Sequence, residues 1–474
     1  MAPGPSDAPR ADPNVVLAVL SLAAVTYAML SSAVIPALPA FQRDLHASET
    51  GITWLLTGFL LSASVGTAII GKLGDMYGKQ RLLVWTLLIL AAGTLLAALA
   101  NSLPALIAAR VVQGVAGGVF PLAFSIARDE FPANRVAGSI GLMSAILGVG
   151  GGLGLLVGGI IDEHLSWHWL FWLPLPVMVL AAFCAWRYIP ESPVRSAGRV
   201  NWAAAALLTV GMSGVLIAIS LTTVWGWTGT PTLVLLGSGL AVCVAWVVVE
   251  VRSSNPLIDM TMMRLRGVWT VNLAAFTVGA GLYACFLLLP QFAQLPRSTG
   301  FGYGASVVTA GVYLLPCALG MGALGCAAGL VERRFGSRSA LVAGAAVSAA
   351  GCGWLAVTSR HPYGMLVTSA LLGIGIGLAF AALGNLIVQA VPPYQTGAAS
   401  GMNTVLRTLG GALGGQVAAT FVAGSTIHGL PTLGGFTVTF VMAAVVMACC
   451  AGAGLLIPVR TLVAPPLAVE TETT

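Results

Sequence analysis

Long apolar runs with few or no charges recur along the chain, and they restrict its fold more than any other feature. Each run has about 20 residues, the length at which a helix crosses a hydrocarbon core roughly 30 Å thick. Only 8% of the 474 residues are charged, whereas 58% are apolar. We therefore predict an all-α membrane protein with fourteen transmembrane helices. The predicted spans are 14–38, 51–71, 82–101, 105–127, 138–161, 170–189, 203–221, 231–250, 268–290, 306–330, 340–358, 363–387, 397–422 and 435–457.

The Lys and Arg residues between the runs predict how the chain is oriented. With the N-terminus in the cytoplasm, sixteen of them fall inside and three, Arg43, Arg297 and Arg360, fall outside. Because basic residues of short loops stay in the cytoplasm, we expect both termini there. The preference for Arg over Lys fits a high-GC bacterium, so the expected location is the bacterial inner membrane. Anionic lipid headgroups explain the formal charge of +6 better than nucleic acid does.

Parts of the sequence recur at a separation of 257 or 258 residues, which indicates two structural repeats. Gly71, Gly78, Arg81, Gly154 and Gly158 recur as Gly329, Gly336, Arg338, Gly411 and Gly415, and Arg333 stands at the place of Asp75. We therefore expect two six-helix halves with two inserted helices between them. The expected parts are a cytoplasmic tail at 1–13, a six-helix bundle at 14–189, a linker with two inserted helices at 190–266, a second bundle at 267–458 and a cytoplasmic tail at 459–474.

The stretch GKLGDMYGKQR, residues 71–81, is a polar segment between two charge-free runs. It resembles the cytoplasmic loop between helices 2 and 3 of the major facilitator superfamily, where a glycine, an acid, a second glycine and basic residues recur. The matching residues are Gly71, Asp75, Gly78, Lys79 and Arg81. In that family the acid pairs across the interface between the halves, so the resemblance implies that this is a gating loop. A carboxylate at a helix end that faces basic partners can bias a two-state equilibrium. The alternative is a solvated turn that only fixes topology.

The fourth span contains ARVVQGVAGG, in which Arg110 and Gln113 match a second pattern of the superfamily. An arginine in the middle of a span costs about 2.5–3.5 kcal/mol, so Arg110 is expected to face the bundle interior. The resemblance implies a role in proton coupling or in helix contact. The alternative is an arginine near the outer helix end that extends to the headgroups.

The fifth span is rich in glycine and resembles the antiporter signature of the drug-exporting branches of the superfamily. Gly150, Gly154, Gly158 and Gly159 stand in the matching places, and Leu155 stands where that signature has a proline. Close helix packing alone would also explain these glycines. The motifs WHWLFWLPLP, IPES, NPLIDM and GMNTVLRTLGGALGG extend the resemblance over nearly the whole chain. They indicate the branch of fourteen-helix drug:proton antiporters, which are multidrug efflux transporters.

The first span departs from that branch, because Leu30 occupies the place where an aspartate is usual. No carboxylate lies deep in any predicted span. If protons drive transport, a carboxylate near a helix end must carry them. The candidates are Asp75, Asp129, Glu130, Asp162, Glu163 and Glu250, with Asp162 and Glu163 preferred. Their alternative interpretation is that they are ordinary loop charges.

Arg407, in the thirteenth span, adds a second interior positive charge to that of Arg110. A positive interior disfavours lipophilic dications, which need a buried acid, and favours neutral or anionic amphipathic compounds. An adaptable aromatic surface of the substrate cavity is expected from Tyr27, Tyr283, Phe286 and Tyr313. Side chains of this kind are also common at lipid-facing and core positions.

These features together predict a secondary active transporter without a cofactor. We expect a monomer that exports small amphipathic compounds such as drugs or antibiotics, in exchange for protons, by alternating access. Its partners would be the small-molecule substrate, protons and membrane lipids, and not nucleic acid. The alternative is a proton-coupled importer or symporter of an organic anion, and a sensor of the same fold also stays open.

Other classes of membrane protein fit the sequence less well. The segment GTAIIGKL has the spacing of a phosphate-binding loop, but Leu73 replaces the metal-binding Ser or Thr and the segment is an apolar helix. An enzyme would need acids or histidines deep in the membrane, and all histidines fall in predicted loops. His164 and His168 lack a third ligand nearby, so we expect no metal site.

Overall fold

The computed structural model describes residues 11–196, 199–359, 361–427 and 430–458, and most of them are helical. Among these described residues fourteen long helices follow one another, as the apolar runs predict. They are α1 (Pro13–Ala33), α2 (Glu49–Tyr77), α3 (Lys79–Ala98), α4 (Leu103–Glu130), α5 (Ala133–His164), α6 (Trp169–Tyr188), α7 (Trp202–Ser220), α8 (Thr230–Arg252), α9 (Arg266–Gln294), α10 (Val307–Phe335), α11 (Ser337–Thr358), α12 (Pro362–Ala390), α13 (Thr396–Ala423) and α14 (Leu433–Leu456).

Thirteen of these helices are long and apolar enough to cross a membrane. The other one is α13, which has 28 residues and is rich in small and polar side chains. It packs against α9 on one side and α2 on the other. Because protein and not lipid surrounds much of α13, its surface does not have to be apolar. The predicted all-α fold with fourteen helices is confirmed.

Shorter elements connect the long helices. Three-residue 3₁₀ turns lie at Ala116–Gly118 inside α4, at Arg297–Thr299 and at Pro393–Gln395. Short helices occupy Leu38–Asp44, Thr222–Trp225 and Met260–Met263, and α6 contains a break between Trp169–Trp172 and Pro174–Tyr188. Between α13 and α14, the two-residue strands β1 (Thr426–Ile427) and β2 (Leu430–Pro431) pair antiparallel, with Thr426 opposite Pro431.

Local signals in the sequence explain where several helices begin. The side chains of Asp12 and Ser48 accept hydrogen bonds from the backbone N–H groups of Asn14 and Gly51, so they cap the N-termini of α1 and α2. The first span was predicted to continue to residue 38, but α1 ends at Ala33. Pro36 explains the difference, because proline lacks an N–H group and disfavours helical conformation in the residue before it.

The polar stretch at residues 71–81 was predicted to be a loop, and this prediction is wrong. Helix α2 continues to Tyr77 and α3 begins at Lys79, so Gly78 alone forms the turn. Gly78 has a φ of 118°, in a region that other residues rarely adopt. The second copy has the same design, because Gly336, with a φ of 81°, is the single residue between α10 and α11. Asp75 is therefore a helical residue in the last turn of α2.

Two groups of six helices have matching internal contacts. In the first group α5 packs on α1, α4 packs on α2 and α3, and α6 packs on α1 and α3. In the second group α13 packs on α9, α12 packs on α10 and α11, and α14 packs on α9 and α11. The inserted helices α7 and α8 pack on each other, and α7 also touches α2 and α13. The 6+2+6 arrangement is confirmed. Arg360 and most of the two predicted tails lie outside the described residues.

The first half, α1–α6, meets the second half, α9–α14, through two related pairs of long helices. Helix α2 packs on α13, and α10 packs on α5. We call the end of the bundle with the start of α1 and the end of α14 the near end, and the opposite end the far end. At the near end the backbone of Gly71 lies against Gly397, and that of Gly329 lies against Gly138. An added Cβ atom at either Gly71 or Gly329 would overlap the partner backbone, so glycine permits these close approaches.

The glycines of α5 contact two different helices. Gly154 and Gly158 lie against backbone carbonyl oxygens of α1, those of Met29 and Ala33. Ser32 of α1 also donates a hydrogen bond to the carbonyl oxygen of Gly151, at 2.7 Å. A second face, with Gly148 and Gly152, lies against Met321 and Ala318 of α10 in the other half. Gly159 has open space at its Cβ position.

The corresponding contact of the second half is one residue out of the expected register. Gly411 and Gly415 were expected to match Gly154 and Gly158. Instead Gly410 and Gly414 lie against backbone carbonyl oxygens of α9, those of Phe276 and Ala280. Gly411 contacts the ring of Tyr283, and no atom lies within 4 Å of the Cβ position of Gly415 among the described residues. The same pairs of helices meet in both halves, but in the second half the contacting glycines lie one residue before the expected positions.

We predict that Gly154→Ala destabilises the protein whereas Gly159→Ala does not. The added methyl group at position 154 would overlap the carbonyl oxygen of Met29. Overpacking of this kind costs about 1–3 kcal/mol of unfolding free energy. At position 159 the methyl group meets no atom within 4 Å in the described part of the chain. The midpoint of thermal unfolding in detergent checks this, and equal midpoints for both variants would contradict the packing account.

Candidate functional site

Asp75 links the two halves at the near end. Its side chain is fully buried. One carboxylate oxygen accepts a hydrogen bond from the N–H group of Gly397 at 3.1 Å, and the other accepts one from Ala398 at 2.9 Å. Both N–H groups belong to the first turn of α13. Carboxylates are favourable there, because the first turn leaves N–H groups unpaired and carries a partial positive charge. The acid of the first half therefore caps a helix of the second half.

The partners of Asp75 differ from the basic side chains expected from the sequence, because both are backbone amides. A second hydrogen bond supports the same contact, since Nη1 of Arg128 at the end of α4 donates to Oγ1 of Thr396 at 2.7 Å. Three consecutive residues at the start of α13 are thus held by side chains of the first half. We call the contacts of Asp75 and Arg128 with residues 396–398 the interhalf cap.

Lys79 lies on the other side of the turn and stays within the first half. It is fully buried and forms an ion pair with Asp129 at the end of α4. The hydroxyl group of Ser192 donates to the same carboxylate at 2.5 Å. Asp129, one of the carboxylates considered as a proton carrier, thus has two partners. This ion pair fixes the start of α3 against the end of α4.

The IPES motif explains how the linker is held against this turn. Glu191 accepts hydrogen bonds from the N–H groups of Gln80 at 3.3 Å and Arg81 at 3.2 Å, so it caps the first turn of α3. Nε of Arg81 also lies 3.7 Å from the carboxylate of Glu191, but 68% of the Arg81 side chain is exposed. Ser196 donates its N–H to the carbonyl oxygen of Asp75 at 2.6 Å. The polar turn and the linker therefore form one connected structure.

The second half has its own buried acid at the near end. The sequence repeat places Arg333 at the position that corresponds to Asp75. The buried acid is instead Glu332, one residue earlier. Its carboxylate accepts hydrogen bonds from Ser337 and from Nδ2 of Asn385, the latter at 3.0 Å. Nδ2 of Asn385 also donates to the carbonyl oxygen of Ala137 in α5, at 3.1 Å. Glu332 thus contacts the first half indirectly, through Asn385. The fixed repeat separation pairs Asp75 with Arg333, so it predicted neither Glu332 nor Asn385.

The carboxylate of Glu250, another candidate proton carrier, accepts hydrogen bonds that have a structural role. It is buried near the end of α8. Its carboxylate accepts N–H bonds from Leu257 at 2.8 Å and Ile258 at 3.2 Å, and one from the indole of Trp246 at 3.2 Å. Leu257 and Ile258 belong to the NPLIDM motif. This acid therefore holds the connection from α8 to α9.

Arg110 faces the interior of the first half and is fully buried. Its Nη1 donates to Oε1 of Gln113 at 2.9 Å, and its guanidinium lies 4.1 Å from the centre of the Phe59 ring. Nη1 and Nε also lie 3.4 Å from the carbonyl oxygens of Leu30 and Leu55. Nη2 has no hydrogen-bond partner among the described residues. No carboxylate is among these partners, and the backbone of Leu30 replaces the aspartate usual there.

Arg407 lies in α13, in the half of the chain opposite to that of Arg110. The residue is partly buried, and its guanidinium lies 4.6 Å from the centre of the Phe380 ring. Tyr27 of α1 is within electrostatic range of Arg110, Arg407 and Tyr283. The structure therefore brings together Tyr27, Arg110, Tyr283 and Arg407, two from each half. We call these four residues the central cluster.

A cavity of about 300 Å³ opens between the halves toward the far end. Its walls come from the chain after α1, from α5, from the end of α9 and from the start of α10. Phe286 lines it, one helical turn from Tyr283 of the central cluster. Nearly all of its lining side chains are apolar. They include Ile35, Leu155, Leu156, Ile160, Pro290, Leu314 and Leu315, with Gln294 as a polar exception.

The remaining candidate residues lie apart from the central cluster. Tyr313 packs on Tyr303 with ring centres 5.8 Å apart. Asp162 and Glu163 lie in the last turn of α5 at the far end, where Asp162 is near Arg43 and Glu163 is exposed. These two acids therefore do not contact the interior arginines. Chemically, the site offers two positive charges, aromatic rings and an adjoining apolar cavity.

The sequence matches the family model described as "Major Facilitator Superfamily" over residues 20–415. Among similar proteins, "Cephamycin export protein CmcT" of Amycolatopsis lactamdurans is 32% identical, over 85% of this chain and 83% of the relative. "Tetracenomycin C resistance and export protein" of Streptomyces glaucescens is 28% identical, over 88% and 78%. "Multidrug resistance protein 3" of Bacillus subtilis (strain 168) is 27% identical, over 86% and 79%.

Two solved structures share the overall fold. The human organic anion transporter MFSD10 (TETRAN) superposes with a TM-score of 0.67, at 16% identity, and the match covers 93% of this chain and 99% of that one. The proton:xylose symporter XylE also gives a TM-score of 0.67, at 12% identity, with coverage of 94% and 96%. At these identities the likeness establishes the fold.

We predict that Asp75→Ala loosens the first turn of α13. The N–H groups of Gly397 and Ala398 lose their acceptor, so their hydrogens should exchange with solvent faster. Hydrogen–deuterium exchange of a peptide that covers residues 396–402 measures the effect. Asp12→Ala is the control, because Asp12 caps α1 at the same end without touching the second half. Unchanged exchange at residues 396–402 would contradict the interhalf cap.

We further predict that Lys79→Met is strongly destabilising and that adding Asp129→Leu restores part of the loss. Removing one partner of a buried ion pair costs about 3–5 kcal/mol, because it leaves the other charge unpaired. Arg81→Met is the matched control, since the exposed pair with Glu191 is worth at most about 1 kcal/mol. Thermal unfolding in detergent gives the comparison. A double variant no more stable than Lys79→Met would show that pairing of Asp129 does not explain the loss.

Proposed function

The chain belongs to the Major Facilitator Superfamily, and from this premise we propose that it exports small amphipathic compounds, drugs or antibiotics, in exchange for protons. Proteins of this family are transporters and not enzymes, and two halves expose a shared site alternately to each side of the membrane. The observation that carries the proposal is the asymmetry of the interface. The interhalf cap joins the halves at the near end, while the larger cavity lies between the halves toward the far end.

The direction of transport is supported by the relatives. The proteins from Amycolatopsis, Streptomyces and Bacillus are named for export or for resistance, and their matches include most of this chain. An exporter releases its substrate outside, so a cavity that opens outward corresponds to the release state. This interpretation requires the near end to be cytoplasmic.

The charges of the loops support that orientation. Outside the helix interiors, the described Lys and Arg residues of the far end are Arg43 and Arg297, and the other described Lys and Arg residues lie at the near end. We therefore propose that the near end and both termini are cytoplasmic, in a bacterial inner membrane. We also propose that one chain is the working unit, because both halves of the interface come from the same chain.

We propose that Asp75 acts as a gating residue through the interhalf cap. A neutral side chain at position 75 would lose the attraction to the positive N-terminus of α13, so the near end would open more easily. Lys79 and Arg81 would fix the turn at Gly78 within the first half. Gly78 forms this turn, and Gly71 permits the close approach of α2 to α13. Arg110 with Gln113 and Arg407 set the interior charge, and Asp162 and Glu163 are the acids placed for proton uptake at the far end.

Proton-coupled import or symport of an organic anion is a second candidate function. It is favoured by the interior charges, because Arg110 and Arg407 have no carboxylate partner among the described residues. Accumulation of compounds in cells distinguishes the two directions.

We predict that expression in a pump-deficient bacterial host lowers the accumulation of some amphipathic compounds. Asp75→Asn and an uncoupler should each abolish this effect, because the first removes the charge of the interhalf cap and the second removes the proton gradient. Asp12→Asn is the control, since asparagine also caps helices well. Accumulation that rises with expression would favour import, and an unchanged accumulation of all compounds would contradict export.

A further inference from the structure

We infer that the substrate is an amphipathic organic anion whose negatively charged group binds at Arg407, with its apolar body in the far-end cavity. This inference rests on the proposed function, because it names the chemical class of compound that the transporter carries. It assigns a binding role to the central cluster and to the cavity beside it.

The charge balance of the interior requires an anion from outside the protein. Arg110 and Arg407 both lie within electrostatic range of Tyr27. Their described contacts are uncharged: rings, a glutamine and backbone carbonyl oxygens. The described Asp and Glu residues of the long helices lie close to the helix ends. A buried charge without a counter-charge is costly, and a bound anion would remove that cost.

Donors for such an anion are available. Arg407 makes no hydrogen bond and no ion pair within the described part of the chain, and the residue is only partly buried. The hydroxyl groups of Tyr27 and Tyr283 likewise have no hydrogen-bond partner among the described residues, and Tyr283 is 41% exposed. A guanidinium and two hydroxyl groups can bind the oxygens of a carboxylate with charge-assisted hydrogen bonds. Arg110 and Tyr27 both contact the ring of Phe59, so Arg110 would add its positive charge beside this site.

The cavity gives the apolar part of the substrate a place beside this anion site. Phe286 lines the cavity and lies one helical turn from Tyr283 of the central cluster, so a molecule held by its anionic group at Arg407 would extend past Tyr283 toward the cavity. The volume of about 300 Å³ and the apolar walls match the body of a small drug-like compound. The anionic group and the apolar body together define the amphipathic anion.

The first test compares binding of 1-naphthaleneacetate with that of its neutral amide, 1-naphthaleneacetamide, to the purified full-length protein. We expect the wild type to bind the acid about ten-fold more tightly than the amide, the gain from a charge-assisted interaction. In Arg407→Gln the ratio of the two affinities should fall to about one, with binding of the amide unchanged. Arg264→Gln, which removes an exposed near-end arginine, is the control and should keep the wild-type ratio.

The outcomes separate this inference from the proposed function. Equal binding of acid and amide by the wild type, binding of neither, or a ratio that survives Arg407→Gln would each overturn the anion site. The second test measures accumulation of the same two probes and of the cation ethidium in the pump-deficient host. If the acid binds selectively but no compound is exported, the proposed export fails and the anion site stands. If ethidium or the amide is exported in preference to the acid, export stands and the anion site is wrong.

Arg407→Glu gives a sharper form of the second test, because it reverses the charge at the proposed site. We expect this variant to lose export of 1-naphthaleneacetate and to gain export of ethidium. An Arg407→Glu protein that folds, as judged by its elution as a single species, and still prefers the acid would contradict the assignment.

Discussion

The bond between Asp75 and the first turn of α13 is the contact on which the interface between the halves depends. One buried carboxylate receives the N–H groups of Gly397 and Ala398, and Arg128 adds a bond to Thr396. Such an interaction of a carboxylate with a helix N-terminus is worth up to about 2 kcal/mol in partly buried geometries. A contact of this strength can hold one of two states without making the other inaccessible, which alternating access requires.

The rest of the near end supports this bond in the two halves by different means. In the first half, the Lys79–Asp129 ion pair and the carboxylate of Glu191 fix the turn that follows Asp75. In the second half, Glu332 acts through Asn385 on the backbone of α5. The two halves thus share the packing of α2 on α13 and of α10 on α5, but the polar contacts at these pairs differ. The interface combines a symmetric arrangement of helices with an asymmetric set of hydrogen bonds.

The sequence predicted the helices well, because crossing a membrane demands an apolar run of fixed length. It predicted the polar turn poorly, since the polar sequence around Asp75 is typical of a loop, and only the contact with the first turn of α13 explains a buried helical position. The repeat indicated two halves, but Glu332 and Gly410 each differ by one residue from the fixed separation. Contacts between helices far apart in sequence decide such details. Of the candidate site residues, the structure groups Tyr27, Arg110, Tyr283 and Arg407, and the charge pattern had singled out the two arginines.

The measurement that tests the central claim most directly is the distance between spin labels across the interface at both ends of the bundle. Arg81→Cys with Arg334→Cys reports on the near end, and Asn101→Cys with Tyr363→Cys reports on the far end. The exposed native cysteines, Cys326 and Cys449, are first replaced by serine. The account predicts that Asp75→Asn lengthens the near-end distance and shortens the far-end distance. Distances that stay unchanged, or that both lengthen, would contradict it.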